Sequence, residues 1–369
     1  MIEKTRSFRP DWISPPGDTI ADLLEERDWT QADLANRMGN TTKFVSQLIN
    51  GKATISEETA LKLESVFGST AAFWLNREAQ YRENLSRLEE NERLKTWIPW
   101  AEQFPIKDLI KSGVIEKRWV SEKQKPAIVK DLLRFFGIAS PEGWKLHYEQ
   151  MPVAFRRTRK EQSDMGAIWS WLRLGEVEAE KMNGPKFDKN KFEKALKTIR
   201  TFTNLSPEEF LPRMRRLCID SGVSLVLIPA IPRAHVSGVA RWLNPHKALI
   251  QMSLYGKTND RFWFTFFHEA AHILKQDKKG VFLDEFDGQR LDSSYERDAD
   301  KWASDFLIPP ECTAELPSLR SKESVKTFAS KIGVHPGIVV GRMQHEELIT
   351  HKWMNGLKVS YRFKAKGNA

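Results

Sequence analysis

The segment FTFFHEAAHILKQ, from Phe264 to Gln276, holds two histidines four residues apart with a glutamate directly after the first. On a helix that spacing puts His268 and His272 one turn apart on one face, where each can aim a ring nitrogen at a single metal ion. Glu269 lies about 100° round the helix axis and can reach a water at that ion, taking its proton as the water attacks a scissile carbonyl. Two histidines alone leave a zinc site incomplete, so a third ligand is required. Glu296, in YERDADKWASDFLIPP 24 residues beyond His272, is the strongest candidate. Asp284, Glu285, Asp287 and Asp292 compete, but they fall in a loop-like stretch with Gly288 and rank below it. Asp300, one turn after Glu296, can accept a hydrogen bond from a ligating histidine and fix its tautomer. The chemistry implied is zinc-dependent hydrolysis of a peptide bond.

Such residues need a rigid frame. The apolar run around His268 reads as one helix, and Ala299, Trp302, Ala303 and Phe306, recurring at three- and four-residue steps, as a second that carries Glu296. Upstream, VSLVLIPAI and KALIQMSL are short runs bounded by Gly, Pro or Asn and read as strands, so the region from 206 is α+β. Ser237 and Gly238, in a strand before the helix, offer a backbone edge to which an extended substrate could add. The tail KVSYRFKAK alternates apolar and basic residues, as a last strand or a loose arm would. His235, His246, His335, His345 and His351 are undifferentiated candidates for stabilising an oxyanion.

A second constellation lies some 220 residues earlier. Thr30 can cap a helix, with Asp33 three residues on; Ala32, Leu34, Ala35 and Met38 supply its inner face, and Gly39 ends it. Thr41 can cap the next helix, whose back is Val45, Leu48 and Ile49 and whose front is Thr42, Lys43, Ser46 and Gln47. Those front side chains can donate and accept at base edges or phosphates, as a recognition helix in the major groove requires. No acidic residue occurs from Leu34 to Ser56, while Arg37, Lys43 and Lys52 are present.

Composition frames both. At 369 residues the chain has room for two or three domains, and 40% hydrophobic content supplies their cores. No apolar run approaches a membrane span, and MIEKTRSFRPDW lacks an apolar signal core, which predicts a soluble cytoplasmic protein without membrane contact. Cys218 and Cys312 form no framework and exclude a cysteine-based zinc site. Residues 1–90 hold 11 Lys and Arg against 15 Asp and Glu, so the net +9 conceals −4 there and +13 beyond. The clusters Arg156 to Lys160, Lys186 to Arg200 and Arg213 to Arg216 are read first as solvated helix faces and second as a surface for single-stranded nucleic acid, with Trp169 and Trp171 as stacking candidates. Between 81 and 205 the pattern is helical but broken by prolines, and reads as a helical connector.

Two resemblances attach to these residues. PGDTIADLLEERDWTQADLA, INGKATISEETALKLESVFG and AAFWLNREAQY resemble the phage-repressor-like (XRE) helix-turn-helix family and, within it, the HigA-type antitoxins. This resemblance implies Gln31 against phosphate, Thr41, Thr42, Lys43 and Gln47 toward DNA with Asn50 in the following turn, binding of double-stranded operator DNA as a homodimer, and a HigB-like toxin as an alternative partner. VSGVARWL, KALIQMS, RFWFTFFHEAAHIL and ERDADKWASDFLIPP resemble the ImmA/IrrE-type metallo-endopeptidases. That implies Zn2+ held by His268, His272 and Glu296, Glu269 as the catalytic acid/base, and a helix-turn-helix repressor as protein substrate, cut under stress.

The expected architecture is mainly α: a helix-turn-helix domain over 1–80, a helical connector over 81–205 and a zincin-like α+β domain over 206–369. The expected function is a DNA-binding regulator carrying an endopeptidase that cuts a repressor, itself or a partner, near the 80–100 connector or within the first domain. The alternative is an antitoxin and autorepressor whose zinc domain is idle or sensory.

Overall fold

The structure, a computed structural model, describes residues 14–118, 121–149, 155–157, 164–275 and 293–363. Their contacts divide the chain into two compact units, one of residues 1–98 with 125–127 and one of residues 99–124 with 128–369. The carboxylates at 284, 285, 287 and 292, the basic residues 159 and 160, and the end of the tail from 364 lie outside the described residues.

In the first unit, helices α1 (Pro16–Glu26), α2 (Gln31–Met38), α3 (Thr42–Ile49), α4 (Glu57–Phe67) and α5 (Ala71–Thr96) enclose a core of Ile20, Leu34, Val45, Leu48, Leu63 and Trp74. Thr30 and Asp33 form a reciprocal cap: the Thr30 amide donates to Asp33 Oδ2 at 2.8 Å and the Asp33 amide to Thr30 Oγ1 at 3.2 Å. Gly39, at φ 64°, supplies the left-handed residue that ends α2. Gly17 lets α1 meet α3 directly, because a Cβ there would lie 2.0 Å from the Ile49 carbonyl oxygen. Ala32 is exposed, so the inner face of α2 is Leu34, Ala35 and Met38 alone.

α5 runs through the expected boundary at 80. Ion pairs at helical spacing brace it, Arg82 with the buried Glu78 and Arg87 with the exposed Glu83, and Pro99 follows its end. The stretch 81–205 is therefore shared: 81–98 and 125–127 fall in the first unit and the remainder in the second.

That second unit is built on a four-stranded sheet of order β1-β3-β4-β2, from β1 (Phe155–Arg157), β2 (Val223–Leu227), β3 (Val236–Asn244) and β4 (Lys247–Met252). β2 runs parallel to β4, and β3 antiparallel to both β4 and β1. One face carries α6 (Met165–Glu180), whose Gly175 approaches so closely that a Cβ would sit 1.9 Å from Gln251 Oε1. Trp169 and Trp171 are buried on this helix, with the Trp171 indole donating to the Ile228 carbonyl, and are closed to base stacking. The larger core holds α7 (Lys189–Arg200), α8 (Pro207–Asp220), α9 (Asn259–Lys275), α10 (Ser293–Leu307), α11 (Lys322–Ile332) and α12 (Pro336–His345). Arg200, from the basic run 186–200, is a half-buried clamp rather than a solvated charge, donating to the carbonyls of Phe306, Leu307 and Ile332.

The tail folds back. Thr258 and Ser360 form an isolated antiparallel bridge, the Asn259 amide donates to the Val359 carbonyl, and Tyr361 packs on Phe210 and Phe262. No helix among the described residues is long and apolar enough to cross a membrane.

Candidate functional site

α9 and α10 run antiparallel, and this arrangement sets the site. His272 faces Glu296, while His268 faces both Glu296 and Asp300. Nε2 of His268 and Nε2 of His272 are 3.0 Å apart, and they lie 3.3 and 3.4 Å from the two oxygens of Glu296. One donor atom from each of these three residues lies within 4.8 Å of the others, and no other such group of His, Cys, Asp and Glu occurs among the described residues. Both histidines are buried.

The donor set fits zinc. Nδ1 of His268 lies 2.9 Å from Asp300 Oδ1, so its proton points at that carboxylate and the ring turns the Nε2 lone pair inward. Two imidazole nitrogens and a carboxylate then converge, which is the three-ligand pattern of a zinc ion with one position left open. The electrostatics agree. Burial pulls the His268 imidazole down, but hydrogen bonds to Asp300 and Glu296 and the charges of Glu269 and Glu296 outweigh it and raise the group to about 9. Hydrogen bonds from His268 and then His272 hold the Glu296 carboxyl far below the usual carboxylate range. The cluster attracts positive charge.

Glu269 is fully buried beside this cluster, against β3. Gly238 makes room for it: a Cβ there would lie 2.6 Å from Thr265 Cγ2 and 2.8 Å from Glu269 Oε1. The expectation of an open edge at Ser237 and Gly238 is corrected, because β1 takes that side of β3, pairing Phe155 with Val239 and Arg157 with Val236.

The other histidines separate by partner. Nδ1 of His335 lies 3.0 Å from the Gly337 amide and 2.8 Å from Asn259 Nδ2, so this residue caps α12 and ties it to the start of α9. Nδ1 of His235 meets the Tyr255 hydroxyl at 3.0 Å, and His246 lies exposed in the turn between β3 and β4. His345 and His351 line a cavity beside α9.

Sequence reasoning missed the clamp on the first turn of α9. Lys358 reaches Asp260 Oδ2 at 2.6 Å and Gln344 Oε1 at 2.7 Å, and the Val359 amide donates to Asn259 Oδ1 at 3.1 Å. The contacts to Asn259 and Asp260 join residues 100 and 98 positions apart, and no local pattern announces them.

In the first unit, Gln31, Thr41, Thr42, Lys43, Gln47 and Asn50 are exposed, with Ser46 half-buried among them. Thr41 caps α3 by accepting from the Phe44 amide at 3.2 Å. The Asn50 side chain donates through Nδ2 to the Ser46 carbonyl at 2.7 Å, closing the end of α3. Arg37 stacks over the Trp29 ring at 3.8 Å, which leaves Lys43 and Lys52 as the outward cations of this edge.

Comparison with known proteins agrees with this division. Residues 20–74 match the family described as helix-turn-helix, and residues 241–344 the peptidase family described as IrrE N-terminal-like domain. An uncharacterized HTH-type transcriptional regulator, YddM of Escherichia coli (strain K12), is 38% identical over 61 residues, 16% of this chain and 65% of that relative. The match thus spans less than two thirds of the relative's length. The chain carries an XRE-like helix-turn-helix domain at its N-terminal end and, toward its C-terminal end, an IrrE/ImmA-like domain of the M78 peptidase family.

Proposed function

We propose that this protein is a transcriptional regulator that binds operator DNA through α3 and carries a zinc-dependent endopeptidase that cuts a helix-turn-helix repressor, its own first unit or a partner's, to relieve repression under stress. The observation that carries the hydrolytic half is the convergence of His268, His272 and Glu296 between two antiparallel helices, with Glu269 buried at their side. A bound zinc ion supplies Lewis acidity at the carbonyl and lowers the pKa of water. His268 and His272 hold it from one face of α9, Glu296 closes the set from α10, and Asp300 fixes the His268 tautomer. Glu269 takes the proton from the attacking water and returns it to the leaving amine, a role worth about 10²- to 10⁴-fold.

On the DNA side, what supports the reading is the exposed row Thr42, Lys43 and Gln47 on a capped helix, flanked by Gln31, Thr41 and Asn50. Self-cleavage within 81–96 is disfavoured, because that stretch lies inside α5 and an endopeptidase takes its substrate extended. The test is operator release by the zinc-loaded chain against its Glu269→Gln variant. Cleavage and release by the former alone support the proposal; identical release from two intact proteins would sink it.

A further inference from the structure

A cavity of about 310 Å³ lies between the first half of α9, the last turn of α10, α12 and the tail. None of His268, Glu269, His272 and Glu296 lines it, so a molecule seated there touches none of the groups assigned to the metal or to proton transfer. A volume of this size lies at the lower end of ligand pockets and exceeds what packing faults leave behind.

The lining divides by chemistry. Phe264 of α9, Leu307 and Ile308 at the end of α10, and Ile338 of α12 form an apolar wall. The charges are mostly positive. Lys358 is committed to Asp260 and Gln344, and this pair of opposite charges cancels. Arg342 is engaged on one edge only. Its Nε donates to Glu346 at 2.6 Å, whereas its two terminal nitrogens have no acceptor among the described residues, although the side chain is only 18% exposed. A guanidinium so far withdrawn from water with two donors unmet is costly, and a carboxylate accepting from both at once is the group that best relieves it. Arg261, on the neighbouring wall, is exposed and has no carboxylate partner among the described residues.

We propose that this cavity is a binding site for a free small acid, separate from the metal cluster. Its branched or aromatic body lies against Phe264, Leu307, Ile308 and Ile338, and its single carboxylate sits on the terminal nitrogens of Arg342, with Arg261 adding positive charge at the rim. An uncharged molecule of the same shape leaves the Arg342 donors unmet, and an acid without an apolar body leaves the wall unfilled. The site stands apart from the hydrolytic reading, because it needs neither zinc nor Glu269.

Calorimetric titration of the full chain, zinc-loaded and chelator-treated, tests this. Hydrocinnamate is the probe, hydrocinnamyl alcohol lacks its charge and acetate lacks its apolar body. Hydrocinnamate is expected to bind both forms of the protein alike, at one per chain with Kd below about 1 mM, and about tenfold or more tightly than either control. Arg342→Met weakens the acid about tenfold and leaves the alcohol unchanged, and Ser304→Trp, which fills the cavity, abolishes binding of both. Thermal unfolding shows whether each variant folds; Arg342→Lys, which keeps the charge and loses the fork, gives an intermediate affinity and stands in for Arg342→Met if that variant does not. Absence of saturable binding by the wild-type chain overturns the proposal, as does equal binding of acid and alcohol. Binding that requires zinc overturns it too, since the acid would then be a ligand of the metal.

Discussion

Asp300 reaches across from α10 to hold Nδ1 of His268 at 2.9 Å, so a residue outside the metal-facing set decides which nitrogen of that histidine turns inward. Asp300→Asn keeps the size but weakens the grip on the ring. Zinc affinity, measured by competition with a chelator, should fall about 10- to 100-fold with helical content unchanged. An unaltered affinity would remove Asp300 from the account.

The Lys358–Asp260 pair is nearly buried and clamps the tail to the first turn of α9. Lys358→Met strands a carboxylate and should cost about 3–5 kcal/mol in denaturant unfolding, whereas the double variant with Asp260→Asn should recover much of that loss. Equal losses in the single and double variants would show that the pair is not coupled.

The metal-free protein should lose stability with rising pH. His268 is raised to about 9 in the folded chain against about 6.5 unfolded, so its contribution is complete below about 6.5 and is lost as pH climbs through about 9. Over the same window zinc binding displaces that proton and should tighten. Thermal unfolding of chelator-treated protein from pH 6 to 10 checks the first part, and a flat profile contradicts it.

Lys43 stands exposed on the first turn of α3. Lys43→Ala should weaken operator binding about uniformly across sequences and reduce the salt slope by about 1, whereas Gln47→Ala should relax sequence preference at one base pair. Binding that ignores both changes would assign α3 to protein contacts.

What could be read from the sequence was local. The four-residue step from His268 to His272, the cap at Thr30 and the turn at Gly39 each depend on neighbours within a turn or two, so residue type and spacing were enough. What could not be read depends on distant partners. Gly238 and Gly175 are close-approach residues only because Glu269 and Gln251 arrive from elsewhere in the chain. Trp169 and Trp171 look like exposed stacking residues beside a basic run until Trp144 and Tyr148 pack on the first and the Ile228 carbonyl takes the indole N–H of the second. The same holds within the connector expected over 81–205, where α6 packs on β2 and β4, strands that follow it in the chain.

If His268, His272 and Glu296 together hold one zinc ion, zinc-edge X-ray absorption on the reconstituted protein should find one zinc per chain with two imidazole nitrogens at about 2.0–2.1 Å and carboxylate oxygen at about 2.0–2.2 Å, a signature lost in Glu296→Ala and His268→Ala. Substoichiometric zinc, or the same spectrum in both variants, would contradict it.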